Sequence, residues 1–246
     1  MLTRHYLLFE LRRLRRDPKF VVLTVAMPAL LYLMFSTIGG GRRGAPGAGY
    51  APDAVVMAGM ACHGVLMVTI TNGVNVALDR NIGWVAQLRT TPLSAAQSVI
   101  GKGVSGLLLS LLSLLAVFLI GGPLHGIQLS ATQWLEIGAI TWLGSLPFAL
   151  LGMALGFLVS PTTSGPAVMG CVIGMSALGG LWVPARLFPD SLRHVSTALP
   201  TNHWVHLSQA LLEGGASPLS DLAVLGGWTA GFALLAGFAL RREVTR

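Results

Sequence analysis

The stretch LDRNIGWVAQLRTTPLSAAQSVIGKG, residues 78–103, decides the fold of this chain because it interrupts two long apolar runs. It carries acidic and basic side chains: Asp79, Arg80, Arg89 and Lys102. A segment buried in the hydrocarbon core of a bilayer does not hold this many charges. The stretch is therefore predicted to lie outside that core and to join two membrane-spanning helices.

The composition of the whole chain supports this interpretation. Its 246 residues are 53% hydrophobic and only 10% charged, with a mean hydropathy of +0.71. Soluble domains carry roughly 25% charged residues, and a soluble sphere of this size could not hide so much apolar surface. Cys62 and Cys171 both lie inside apolar runs, which favours buried thiols over a disulfide framework or a redox pair.

Six apolar runs are long enough to cross a bilayer, which takes about 20 residues of helix. They cover residues 20–38, 54–78, 99–121, 132–159, 165–183 and 221–240. The first follows a basic segment, as a signal peptide would. Its apolar core exceeds the usual ~7–15 residues, and it ends in STIGGG without a clear cleavage site, so we predict a retained span.

The distribution of basic residues predicts the orientation of these spans. With the N-terminus in the cytoplasm, twelve of the sixteen Lys and Arg residues fall on the cytoplasmic side and four fall outside. Cytoplasmic loops are enriched in such residues, so both termini are predicted to be inside. The net charge of +7 is then a signature of topology, and no nucleic-acid partner is expected.

Within residues 78–103, apolar side chains recur every three residues beside a tryptophan: Ile82, Trp84, Val85 and Leu88. Arg80 and Arg89 lie mostly elsewhere on the helical wheel, and Pro92 ends the pattern. The pattern predicts a short amphipathic helix on the cytoplasmic side. From the residues alone, it could rest on lipid headgroups or against a partner protein.

This segment resembles the link between the second and third spans of type-2 ABC (ATP-binding-cassette) exporter permeases. Five features occur in the order typical of that family: Asp79-Arg80, Gly83, Leu88-Arg89, Thr91-Pro92-Leu93-Ser94 and Gly101-Lys102. ELRRLRRDPKF (residues 10–20) resembles the interfacial N-terminal helix of the family. LFPDSLRHVSTALPTNHWVHLSQALLEGG (187–215) resembles its pair of outer re-entrant helices. Each of the two carries an apolar stripe, formed by Leu192, Val195 and Leu199 in the first and by Trp204, Leu207 and Leu211 in the second.

The resemblance implies a single transmembrane domain over residues 1–246. The fold would be an all-α integral membrane protein with six transmembrane helices, an N-terminal interfacial helix, a cytoplasmic coupling helix and an outer re-entrant pair before the last span. It also implies a multi-pass location in the bacterial cytoplasmic membrane. The expected assembly holds a second permease, identical or a close paralogue, and two ATPase subunits that bind ATP and Mg. No cofactor is expected in this chain.

In that family the coupling helix docks on the ATPase. The resemblance therefore assigns apolar contact to Ile82, Trp84, Val85 and Leu88, and polar contact to Arg80 and Arg89. Gly83 would allow close backbone approach. The implied activity is ATP-driven export of hydrophobic drugs or antibiotics. A lipid-linked polysaccharide is the alternative cargo.

Sequence motifs for catalysis are weak. Residues 101–106 spell G-x-G-x-x-G but lack the preceding strand and the Ser/Thr of a phosphate loop, so no ATPase site is predicted. His203 and His206 have metal-ligand spacing, but Glu213 is the nearest acidic residue, and we predict two interfacial imidazoles and no metal. A membrane-embedded lipid-modifying enzyme would have only His63 and scattered Ser and Asn to work with, and a passive channel would need no nucleotide.

The second predicted span is polar in its inner half, and its candidate path residues are His63, Thr69, Asn72 and Asn75. Such groups are costly in hydrocarbon and should face protein or water. They either form hydrogen bonds between helices or line the export path. Three G-x-x-x-G motifs, beginning at Gly152, Gly170 and Gly227, are predicted to pack helices within one subunit. Glu136 and Asp221 are predicted to be hydrated at outer span ends rather than to carry protons.

Overall fold

The computed structural model describes residues 18–39, 52–81, 95–213 and 219–244, and in these ranges the chain is helical without strands. The α-helices are α1 Pro18–Gly39, α2 Pro52–Asn81, α3 Ala95–Leu119, α4 Ala131–Leu143, α5 Leu146–Leu158, α6 Pro161–Leu178, α7 Asp190–Ala198, α8 Pro200–Glu213 and α9 Leu219–Val244. A π-helical turn, Ile120–Leu124, extends α3, and a 3-10 turn, Ala185–Leu187, precedes α7. The predicted all-α class is confirmed.

Four segments of the described residues are long and apolar enough to cross a membrane: Asp53–Asn75, Gly103–Leu124, Ala131–Leu158 and Leu219–Arg242. They correspond to the second, third, fourth and sixth predicted spans. Helix α1 contains a shorter apolar segment, Ala26–Thr37. The count of six spans therefore stays a prediction, and so do the orientation and the interfacial N-terminal helix. Of the residues 10–20 of that helix, only 18–20 are described, as the start of α1.

Two predicted spans differ from the observed helices. The run 132–159 is broken between Leu143 and Leu146, where Gly144 lies so close to Trp204 that an added Cβ would come within 2.4 Å of the indole. The run 165–183 is shifted, because Ser160 caps α6 and starts it at Pro161, before the predicted span begins. Helix α6 then ends at Leu178, before Gly180 adopts a positive φ of 85°.

Helix α2 is the centre of the bundle and packs against α1, α3, α5, α6 and α8. In its spanning window 83% of the residues are buried, against 17% for α9. Helices α2 and α5 approach each other closely, because a Cβ on Gly73 would lie 2.4 Å from the carbonyl carbon of Gly152. The packing role predicted for Gly152 is confirmed.

The other two G-x-x-x-G motifs do not pack in this way. A Cβ added to Gly170 or Gly174 on α6, or to Gly227 or Gly231 on α9, would meet no atom within 4 Å in the part of the chain that the structure describes. The prediction of packing within the subunit is therefore wrong for these motifs. The G-x-x-x-G spacing in a sequence does not show whether the glycine face of the helix points toward another helix.

The two short helices predicted before the last span are present as α7 and α8. Trp204 and Leu207 of α8 are buried, as the apolar stripe of that helix predicted. Leu192 and Val195 of α7 are exposed, because α7 lies at the edge of the bundle and packs chiefly against α8, α6 and the 3-10 turn. Helix α7 therefore turns its apolar stripe away from the rest of the chain.

Candidate coupling segment and transport path

The predicted ATPase-coupling residues are Arg80, Ile82, Gly83, Trp84, Val85, Leu88 and Arg89. The backbone of Arg80 lies in the last turn of α2, and the other six fall at 82–94, outside the described residues. Their role stays a prediction. The structure describes the two helices that flank them: α2 ends at Asn81 and α3 begins at Ala95.

Helix α2 links this segment directly to the core. It is continuous over 30 residues, which corresponds to a length of about 45 Å at 1.5 Å per residue. All four candidate path residues lie on it. A displacement of its Asn81 end is therefore expected to move the path residues along with the helix.

His63 forms a hydrogen bond that joins α2 to α6. Its side chain is buried, its Nδ1 lies 2.8 Å from Ser176 Oγ of α6, and its ring packs edge-on against Trp182 at a centroid distance of 5.4 Å. This contact satisfies an otherwise costly polar group inside the bundle. Of the two alternatives left open for this residue, the structure shows the hydrogen bond between helices, and a role in the path stays a prediction.

The remaining path residues have different surroundings. The Thr69 hydroxyl donates to carbonyls of its own helix, 2.9 Å from Val65 O and 3.1 Å from Leu66 O. Asn72 is buried and faces α3, where a Cβ on Gly106 would lie 2.6 Å from its Nδ2. Asn75 is half-buried.

These four residues do not share one face of α2. At about 100° per residue, Asn72 lies roughly opposite His63 on the helix, with Thr69 and Asn75 on the side of Asn72. The structure accordingly places His63 against α6 and Asn72 against α3. Any path that uses both must run on two sides of α2.

Sequence reasoning missed a second polar contact, between α8 and α9. Asp221 in the first turn of α9 is buried, with its Oδ1 2.6 Å from His203 Nδ1 and its Oδ2 2.7 Å from His206 Nδ1. The prediction that Asp221 is hydrated is wrong. Its separation of 15 and 18 residues from the histidines offered no periodic signal. Among the described residues, no group of three His, Cys, Asp or Glu side chains is arranged to hold a metal ion.

A third contact joins α2, α4 and α8 through one thiol and two hydroxyl groups. Ser208 Oγ lies 3.2 Å from Thr141 Oγ1 and 3.8 Å from Cys62 Sγ, and all three residues are buried. Cys62 is a free thiol, as predicted from its apolar surroundings. This contact has no sequence signature, because its members come from three separate helices.

Comparison with known proteins identifies the family. The sequence model described as "ABC-2 type transporter" matches residues 2–212, most of the chain. The chain belongs to the ABC-2 type transporter family. The resemblance noted in residues 78–103 is thereby confirmed, and the match continues through all helices before the last span.

A full-length relative is also known. The protein named "Putative transport permease YvfS" from Bacillus subtilis (strain 168) is 25% identical over 234 residues, which cover 95% of each chain. Membership of the ABC-2 family makes this chain a multi-pass membrane subunit of an ABC transporter rather than a catalytic enzyme. It also implies that a partner ATPase drives the assembly.

Proposed function

We propose that this ABC-2 protein is the permease subunit of an ATP-driven exporter in the bacterial cytoplasmic membrane. Its cargo is a hydrophobic drug, an antibiotic or a lipid-like molecule, and two copies of a separate ATPase supply the energy. A second permease, identical or closely related, completes the path. The observation that carries the proposal is the continuous, buried helix α2, which leads from the coupling segment into the polar centre of the bundle.

The mechanism follows from this connection. ATP binding closes the two ATPases and draws the coupling segments together. Because α2 is one helix, the displacement reaches His63 and Asn72 without a hinge in the described residues. A tightly packed core switches between discrete arrangements rather than deforming gradually.

The candidate path residues become accessible to cargo when α2 separates from the helices packed against it. In this structure His63 is held by Ser176 and Asn72 is covered by α3. Separation of α2 from α6 would uncover His63, and separation from α3 would uncover Asn72. We expect cysteine variants of the buried His63, Thr69 and Asn72 to react with thiol reagents only during ATP turnover. A cysteine at the half-buried Asn75 should react faster during turnover than at rest.

Replacing both Trp84 and Leu88 with Glu tests the docking assignment. Two carboxylates in an apolar contact should abolish co-purification with the ATPase and stimulation of its turnover. The matched control is the double variant L187E/L192E, which adds the same charge at exposed apolar positions on the predicted outer side. Retention of ATPase binding and stimulation by a folded W84E/L88E protein would refute the docking.

The cargo and direction are tested by reconstitution. Vesicles that hold the permease and its ATPase should move a hydrophobic dye or antibiotic only when ATP is present on the ATPase side. Movement of a lipid-linked glycan instead would reassign the cargo. Movement without nucleotide would indicate a passive channel.

A further inference from the structure

In the contact between α8 and the last span, the two ring nitrogens of His203 both face oxygen atoms. His203 Nε2 lies 2.9 Å from the carbonyl oxygen of Thr197, and its Nδ1 lies 2.6 Å from Asp221 Oδ1. A carbonyl oxygen carries no hydrogen, so Nε2–H must donate to Thr197. A neutral imidazole has a single N–H. The second contact of His203 therefore needs one more hydrogen.

That hydrogen lies between His203 and Asp221. It belongs either to an imidazolium that donates to the carboxylate or to a carboxylic acid that donates to Nδ1, and the proton count is the same in both forms. His206 needs no extra proton, because a neutral ring donates from Nδ1 to Oδ2. With the shared proton, the cluster of His203, His206 and Asp221 has no net charge.

We propose that His203, His206 and Asp221 form a proton-binding site that fastens α8 to the last span. Loss of the proton would leave the Nδ1 lone pair facing a carboxylate oxygen at 2.6 Å, with a net negative charge in a buried place. Buried charge of this kind is costly unless it is paired. The contact therefore depends on this proton.

Other titratable groups on the helices that pack against α8 have separate surroundings. Arg193 is paired with Asp190 on α7, and His63 is bonded to Ser176. The remaining titratable groups on these helices, among the side chains that the structure describes, are Asp53 and Cys62 on α2, Glu136 on α4, Cys171 on α6, His194 on α7, and Arg241 and Arg242 on α9. The hydrogen bonds of the cluster do not involve any of them. Arg241 and Arg242 lie about 30 Å along α9 from Asp221.

The site lies on the side predicted to be outside, so its proton would come from the external medium. Release of the proton would free α8 from α9 while its packing against α4 and α2 remains. The attachment of the outer helical pair to the last span would then depend on this proton. This inference depends neither on the partner ATPase nor on the cargo. The proton-binding site can therefore be refuted while the proposed export is supported, and the proposed export can be refuted while the site is supported.

Nitrogen NMR of the full-length protein in nanodiscs, labelled with ¹⁵N-histidine, tests the proton count. In the unmodified protein the shared hydrogen should be found either on His203 Nδ1, so that one histidine carries two N–H groups, or on Asp221, seen as a carboxylic acid with additional ¹³C-aspartate labelling. The variant H203Q should remove that signal. In D221N, His203 should keep one N–H. The control H194Q changes an exposed histidine on the neighbouring helix α7 and should leave the His203 signal intact. A bare Nδ1 on His203 that faces an ionised Asp221 carboxylate in the unmodified protein would overturn the proposal.

Thermal unfolding of the same variants tests the fastening. D221N and H203Q should each lower the midpoint by about 5 °C, and the double variant should be no worse than either. Should D221N not fold, the comparison of H203Q with H194Q remains, and equal midpoints of these two variants would overturn the proposal. Additive losses in the double variant would also overturn it.

Discussion

The contact between Gly73 of α2 and Gly152 of α5 allows a sharp test of the packing. In Gly73→Ala, the new Cβ would lie 2.4 Å from the carbonyl carbon of Gly152 and 2.5 Å from the backbone nitrogen of Met153. Ordinary contacts begin near 3.4 Å. Both opposing atoms belong to the backbone, so no side chain can turn away, and the two helices must separate by roughly 1 Å.

The size of the effect follows from overpacking. Extra methyl groups in a tight core cost about 1–3 kcal/mol, and the rigid backbone here places Gly73→Ala at the upper end. For a chain of this size, about 3 kcal/mol lowers the melting midpoint by roughly 6–12 °C. Better helix propensity returns less than about 1 kcal/mol of this loss.

The assay is thermal unfolding of the purified protein in detergent, followed by tryptophan fluorescence. The matched control is Gly174→Ala on α6, where the new Cβ meets nothing within 4 Å in the described residues. That variant should keep or slightly raise the midpoint, because alanine favours the helix. A Gly73→Ala midpoint equal to that of Gly174→Ala would refute the assigned contact between α2 and α5.

The same unfolding assay checks three further contacts. Trp204→Ala should cost about 3–5 kcal/mol because the ring is fully buried against Phe148; the exposed Trp228→Ala should cost far less, and equal losses would contradict this burial. In a double-mutant cycle, His63→Ala and Ser176→Ala should show a coupling of about 1 kcal/mol through their 2.8 Å contact; fully additive losses would remove it. Ser130→Ala should cost about 1 kcal/mol by removing the capping box of α4, and an unchanged midpoint would show that the cap contributes nothing.

Local patterns predicted the features that depend on neighbouring residues. The apolar stripe of α8 was readable because Trp204 and Leu207 recur at helical spacing and face the bundle. The same spacing on α7 failed to predict burial, since an apolar stripe reports one side of a helix but not what covers it. Likewise, Gly152 and Gly174 look alike in sequence, and only the first meets another helix in the described chain.

The sequence by itself determined that this chain is a helical membrane protein of the ABC-2 family. Lipid offers no hydrogen-bond partners to the backbone, so long apolar runs must form helices, and the charged stretch at 78–103 between two of them has a distinctive order of residues. Only the tertiary structure decided that α2 is the central helix, that one predicted span is broken at Gly144, and that Asp221 lies between two histidines. These features depend on the rotation and position of helices far apart in sequence, which no local pattern specifies.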